Sequence, residues 1–384
     1  MQPTPSPPPD SLPITSTESS QAPRPGIGLC LSGGGYRAML FHVGAIWRLN
    51  DFGYLPKLER ISSVSGGSIT AGVLGLHWPA LNFDANGVAQ NLQQEFIEPI
   101  LSFASRTVDV RAILAGIFGP GSIGNRVAGA YRRHLFGNAT LQDLPDRPRF
   151  VINATSVQSG VLSRFSKPYF WDYRVGQIKS PTIELAKAVA ASSAFPPVLS
   201  PLVLDLDPAL FSPGTGTDLE VKPYTSKLVL TDGGVYDNLG LETVWKEFDT
   251  VLVSDAGGHM PAQPKPWRNW LMHSVRVLGV IDNQVRSLRK RQVVDSYKKK
   301  ERKGTYWGIR TDISDYHLAN ALPCPFKQTL RLADTPTRLK GLGRLEKERL
   351  INWGFAVTDA AMRRHVDPAL PTPVGFPYPA SAVG

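Results

Sequence analysis

Twice within fifty residues the chain runs through the same sequence of local signals: a short apolar run of strand length, a break of small residues, then apolar residues at helical spacing. The first copy is Ile27-Gly28-Leu29-Cys30-Leu31, broken at Ser32-Gly33-Gly34-Gly35 and followed by a helical pattern from Tyr36 to Asn50. The second is Leu58 to Val64, broken at Ser65-Gly66-Gly67-Ser68 and continued by Ile69-Thr70-Ala71-Gly72-Val73-Leu74. Strands that apolar need covering on both faces, so consecutive strand–turn–helix units predict a sheet with helices packed on it, the α/β class. Later segments extend the pattern. Phe150 to Thr155, Lys227 to Leu230 and Thr250 to Ser254 read as strands, Glu184 to Ser192 as a helix, and Leu342 to His365 as one or two helices.

Before Gly26 the composition is different. Six prolines lie between Pro3 and Pro13 with almost no large apolar side chains, so residues 1–25 are expected to form a disordered tail. With 384 residues, 42% of them apolar and 19% charged, the rest has the make-up of a folded globular chain and room for one large α/β domain or two units. The expected organisation is a core over 26–260 and a mainly helical extension over 261–384 packed on it. Cys30 and Cys324 belong to no CxxC pair or Cys/His cluster, so no disulfide framework, structural metal or cofactor is implied. No apolar stretch reaches the length of a membrane span and the N-terminus lacks the build of a secretory signal, so a cytoplasmic protein is expected.

Two segments invite a partner. Residues 82–144 read as mostly helical and include the apolar Ile113-Leu114-Ala115-Gly116-Ile117-Phe118, which suits either a lid over a site or a buried, kinked helix. Residues 286–303 hold nine basic residues against two acidic ones, a local balance of +7 in a chain of net charge +10. A solvated helix face and peripheral contact with an anionic membrane both fit such a stretch. With no zinc finger or aromatic-interleaved RNA motif beside it, nucleic acid is not expected.

Three glycine-flanked sites could carry chemistry. In Ser63-Val64-Ser65-Gly66-Gly67 a strand passes into a helix at Ser65. A nucleophilic serine needs such a sharp turn, with small residues two places before and after it, to lift its hydroxyl clear of the backbone. Ser63 stands where the usual pattern has glycine, and an ordinary turn fits as well. In Ser32-Gly33-Gly34-Gly35-Tyr36-Arg37, consecutive glycines at a helix N-terminus offer bare amides to an anion, as an oxyanion hole or a nucleotide phosphate site would. The Asp232 carboxylate, at a strand end before Gly233-Gly234, could take a proton from a serine or simply cap its own turn; Asp255 before Ala256-Gly257 is a second candidate of the same shape.

Taken in order with Ala191-Ser192-Ser193-Ala194-Phe195-Pro196-Pro197, these segments resemble the patatin-like phospholipase family, which is also similar in its catalytic core to the cytosolic lipases of the calcium-responsive class. The resemblance covers about Gly26 to Gly258. It implies a three-layer fold with a central, mostly parallel sheet between helices, and hydrolysis of an acyl lipid ester by a carboxylic ester hydrolase of the phospholipase A or lysophospholipase type. It further implies a dyad of Ser65 and Asp232, an acyl-enzyme intermediate, an oxyanion hole of Gly33, Gly34 and Gly35, and Arg37 set to meet a substrate phosphate. The competing readings are a Ser-His-Asp hydrolase built from Ser65, Asp232 or Asp255, and His259 or His273, and a lipid- or anion-binding module with a dead site.

Overall fold

The computed structural model of the chain describes residues 22–108, 123–258, 260–266 and 268–384. The segment from Ile113 to Phe118, His259 and all but the last four residues of the expected tail therefore lie outside the described residues. The first strand, β1 (Arg24–Leu31), begins two residues before the expected start of the core.

β2 (Leu58–Val64), β3 (Arg149–Ser156), β10 (Phe248–Asp255) and β11 (Lys303–Gly308) join β1 in the order β11-β10-β1-β2-β3, every pair parallel. On the far side of β3 the sheet turns antiparallel. β4 (Leu162–Phe165), β5 (Tyr169–Asp172) and β6 (Gly176–Lys179) form successive hairpins and β8 (Phe211–Ser212) adds antiparallel to β6, while β7 (Leu202–Asp205) pairs with β9 (Lys227–Asp232), which itself pairs with β3. The fold is thus a mixed α/β sheet whose central strands are parallel and flanked by helices. Successive side chains of β1 serve opposite faces, as the pleat requires: Leu29 and Leu31 enter the large apolar core, and Cys30 enters a smaller one with Val253, Phe248 and Val293.

Helix α1 (Gly35–Asp51) follows β1 and α2 (Gly66–His77) follows β2. The stretch after α2 is less regular than its composition suggests, with α3 (Glu98–Ala104) and α4 (Ile123–Tyr131) each adjoined by a wider π-type turn. Next come α5 (Leu185–Ser192), α6 (Gly234–Asp237), α7 (Glu242–Trp245), the 29-residue α8 (Trp270–Lys298), α9 (Phe326–Ala333) and α10 (Arg344–His365).

The C-terminal third is more than a helical extension. It supplies β11 to the sheet, and α10 lies against α1 so closely that a Cβ at Gly44 would stand 2.0 Å from Ile351 O and one at Gly354 1.9 Å from Phe41 O. Buried Asp359 accepts from Arg48 across this contact and from Arg363 one turn along its own helix. Sheet and core therefore continue through the expected boundary at 260. No described helix is long and apolar enough to cross a membrane.

Candidate active site

At the end of β2 the backbone of Ser65 takes φ 52° and ψ −120°, a left-handed conformation that a residue with a side chain adopts only when its surroundings hold it there. Those surroundings are glycines. A Cβ at Gly66 would lie 2.1 Å from Gly35 O, and one at Gly67 2.5 Å from Leu31 O, so only a bare backbone lets α2 start against the end of β1. Ser63, in the place of the expected glycine, fits because its hydroxyl turns inward to Val151 O at 3.3 Å and accepts from Ser68 at 3.0 Å.

Ser192, at the end of α5, holds the elbow from the other side. Its hydroxyl accepts the Ser65 N–H at 3.0 Å, donates to Asn153 O at 2.6 Å and lies 2.9 Å from the Ser68 hydroxyl. The same small-residue segment seats β9: Asp232 N–H donates to Ala194 O at 3.0 Å and Gly233 N–H to Ser192 O at 3.2 Å. Sequence reasoning gave this segment no chemistry of its own. Its signal was the run of alanines and serines, which permits the close approach of three chain segments.

Asp232 is buried. One carboxyl oxygen, Oδ1, accepts the Gly234 N–H at 2.7 Å, and the other, Oδ2, is buried without a formed hydrogen bond. Burial raises its pKa from 3.8 to about 7, against the lowering effects of the Gly234 amide and of the neighbouring Ser65 hydroxyl, with Asp282 adding a small rise. Ser65 is thus close enough to Asp232 to act on its charge while no short, well-directed bond joins them. Gly233 is required here as well, since a Cβ would meet Asn153 O at 2.2 Å.

The glycine turn closes the site. A Cβ at Gly33 would come 3.1 Å from Ser65 Cβ and 2.4 Å from Asn238 Oδ1, and the same amide oxygen stands 2.6 Å from where a Gly234 Cβ would be. Ser65, the glycine turn and the start of α6 beside Asp232 therefore meet in one place. Asn238, unflagged in the sequence, lies among them.

Not all three glycine amides are available. Gly33 N–H donates to Asn238 O at 3.0 Å, whereas Gly34 and Gly35, at the N-terminus of α1 with φ 147° and 61°, donate to no described residue. His42 braces this turn from within: Nε2–H donates to Ser32 O at 2.9 Å, Nδ1 accepts from Ser254 at 2.9 Å, and burial lowers its pKa to about 4, so it is neutral.

The remaining expectations come out differently. Arg37 is buried, with Nε donating to Ala256 O at 3.1 Å, one terminal nitrogen to Thr335 O and the other to Thr337 Oγ1 at 3.0 Å. Burial, then Arg286, lower its pKa to about 10. Its guanidinium is a tie between α1 and the C-terminal third, not a group presented to a phosphate. Asp255 has both oxygens engaged, by Tyr306 OH at 2.6 Å and Gly257 N–H at 2.8 Å; burial pushes its pKa up, but Arg286 with these donors brings it below the ordinary value. His273 is exposed on α8, and neither it nor His42 bonds to Ser65 or Asp232; His259 is outside the described residues. Among the described residues no group of His, Cys, Asp and Glu is arranged to hold a metal.

A family model for patatin-like phospholipases matches residues 29–245, more than half of the chain, from the core of β1 through both glycine breaks to α7. The chain belongs to the patatin-like phospholipase family. Among solved structures it is similar to human GIVD cytosolic phospholipase A2, with a TM-score of 0.50 and 13% identity over 88% of this chain and 58% of that one, a likeness of fold. Over 44 residues it is 48% identical to a Saccharomyces cerevisiae protein assigned as the meiotic phospholipase SPO1, a match covering 12% of this chain and 7% of the yeast protein. The patatin-like chain thus spans little more than half the length of the human structure.

Proposed function

We propose that this patatin-like protein is a lipid acyl hydrolase in which Ser65 is the nucleophile and Asp232 its base. The observation that carries the reading is the buried Asp232 carboxyl with one oxygen held by Gly234 N–H, the other unbonded, and a pKa near neutrality, next to a serine raised on a strained elbow. A base titrating near 7 is ionised often enough to take the hydroxyl proton and basic enough to draw it off. As Ser65 Oγ bonds to the ester carbonyl carbon, its proton passes to Asp232. The tetrahedral oxyanion lies at the Gly34 and Gly35 amides, whose donors are worth about 3 to 4 kcal/mol each in such sites. Collapse expels the alcohol, which takes the proton from Asp232, and water then releases the acyl group by the same steps in reverse.

Exposed Phe195 and Val235 adjoin Ala194 and Gly234, both hydrogen-bonded to Asp232, and with exposed Val198 suit an acyl chain better than a polar substrate. Peripheral contact with an anionic lipid surface through 286–303 belongs to the same reading, although Arg289 of that stretch is buried on Asp237 and Arg286 donates to Gly258 O. The test is turnover of phospholipid, lysophospholipid and triglyceride esters by purified protein. Ser65→Ala and Asp232→Asn are expected to abolish hydrolysis in folded protein, and His273→Ala to leave it unchanged. A near-normal rate for Asp232→Asn would place the base elsewhere.

A further inference from the structure

Helix α8 is divided along its length. Its C-terminal part is built into the molecule: Arg289, Val293 and Ser296 are buried, and the Tyr297 hydroxyl donates to Val251 O at 2.7 Å. Its N-terminal part carries Trp270, Val277, Leu278, Val280, Ile281, Val285 and Leu288, all exposed, Trp270 by 79% and Leu278 by 63%. At about 100° per residue these seven side chains fall on a single arc of roughly 160°, bordered on one edge by the line of Arg289 and Val293 that faces the core; exposed Met272 lies off the arc. Isolated surface apolar residues need no explanation, but seven on one arc of one helix, interrupted by only the exposed polar His273, Ser274 and Gln284, mark a surface that something covers.

Charge and shape together identify the cover. Between residues 260 and 294 the sequence has seven basic residues, of which Arg289 is buried against Asp237, and one acidic residue, Asp282, so an excess of positive charge is left around the stripe. Two copies of this chain brought together by the stripe would set like charges against each other, and the arc is wider than the narrow two-position seam of a helix pair. A basic flank around a broad apolar face is the composition of a helix that lies in the interface of a bilayer with anionic headgroups.

The helix is also fastened beside the site. Arg276 donates to Pro261 O at 2.7 Å and Arg286 to Gly258 O at 3.2 Å, in the loop that follows β10. That loop abuts the glycine turn, for a Cβ at Gly34 would stand 2.9 Å from Ala256 O. Arg289 pairs with Asp237 at 3.2 Å in α6, two residues from exposed Val235.

We propose that the N-terminal part of α8 is a docking element that lies in the surface of an anionic phospholipid bilayer and sets the Ser65 site against it. The inference rests on the lipid hydrolase reading for its purpose but not for its test. The full chain and an Ile281→Glu/Leu288→Glu variant are compared in sedimentation with phosphatidylcholine vesicles with and without phosphatidylglycerol, and in hydrolysis of a soluble p-nitrophenyl butyrate. Both substituted side chains are exposed and outside the catalytic machinery. The wild-type chain is expected to bind the anionic vesicles, and the variant to bind them about tenfold more weakly or worse, since each lost apolar contact is worth at least that factor, with unchanged turnover of the soluble ester. Vesicle binding that survives the double substitution would overturn the inference, as would a wild-type dimer dispersed by the variant without loss of vesicle binding. Vesicle binding lost on substitution, in a protein that hydrolyses no ester, would support the docking element and refute the hydrolase.

Discussion

Replacing Asp232 by Asn should stabilise the protein, and by an amount that depends on pH. Burial raises the carboxyl from 3.8 to about 7. Between those values the folded protein keeps a proton that the unfolded chain has released, so this group removes stability as pH rises through the window and removes none below it. A displacement of roughly three pH units corresponds to about 4 kcal/mol of destabilisation by about pH 8. Asn keeps the Oδ1 bond to Gly234 N–H and cannot ionise; whatever its amide gains or loses beside Ser65 is the same at every pH. The difference between the effects at about pH 8 and about pH 5 therefore isolates the charge, and comes to about 2.5 kcal/mol. At an unfolding entropy of about 2.1 cal/mol/K per residue, that is roughly 3 °C in Tm. Thermal unfolding of both proteins across this range is the assay. An Asn variant whose Tm differs from wild type by the same amount at both pH values would show that Asp232 is ionised in the folded protein at an ordinary pKa, and the base proposed here would lose its basis.

Three further outcomes follow from the same geometry. The kcat/KM for ester hydrolysis should rise about tenfold per pH unit below about pH 7 and then level off, as the Asp232 carboxyl loses its proton; a rate independent of pH from 5 to 8, at constant fold by circular dichroism, contradicts this. Ser192→Ala leaves the buried Ser65 N–H without its acceptor and should cost about 1 to 3 kcal/mol in urea unfolding, with hydrolysis reduced beyond what the unfolded fraction accounts for. Gly33→Ala places a methyl 2.4 Å from Asn238 Oδ1 and 3.1 Å from Ser65 Cβ; the asparagine can swing away, so a folded protein is expected at a cost of about 1 to 3 kcal/mol, with turnover down by about tenfold or more.

The parts of the fold written in local pattern were legible. Leu58–Val64 is the strand that its apolar run predicts, and β1, β3, β9 and β10 exceed their predicted spans by only a few residues, because long buried strands ended by glycine breaks announce themselves. The hairpins β4 to β6 were not, since four-residue strands with mixed faces look like loop. Leu342 to His365, whose pattern fits one helix or two, is one, from Arg344.

At the site, the division is between what a residue type allows and what a distant segment does to it. The elbow at Ser65 and the aspartate before Gly233-Gly234 follow from turn chemistry alone. That Asn238 consumes the Gly33 amide, that Thr335, Thr337 and Ala256 claim Arg37, and that Ser192 and His42 hold the two turns in place are consequences of contacts spanning up to 300 residues, for which a local window carries no signal.

The most direct measurement is mapping of covalent modification by a fluorophosphonate on the native chain. The Ser65–Asp232 account predicts a single phosphonylated residue, Ser65, absent from Ser65→Ala and formed far more slowly in Asp232→Asn. Labelling of another serine, or equal labelling of Ser65 with and without the Asp232 carboxylate, would contradict it.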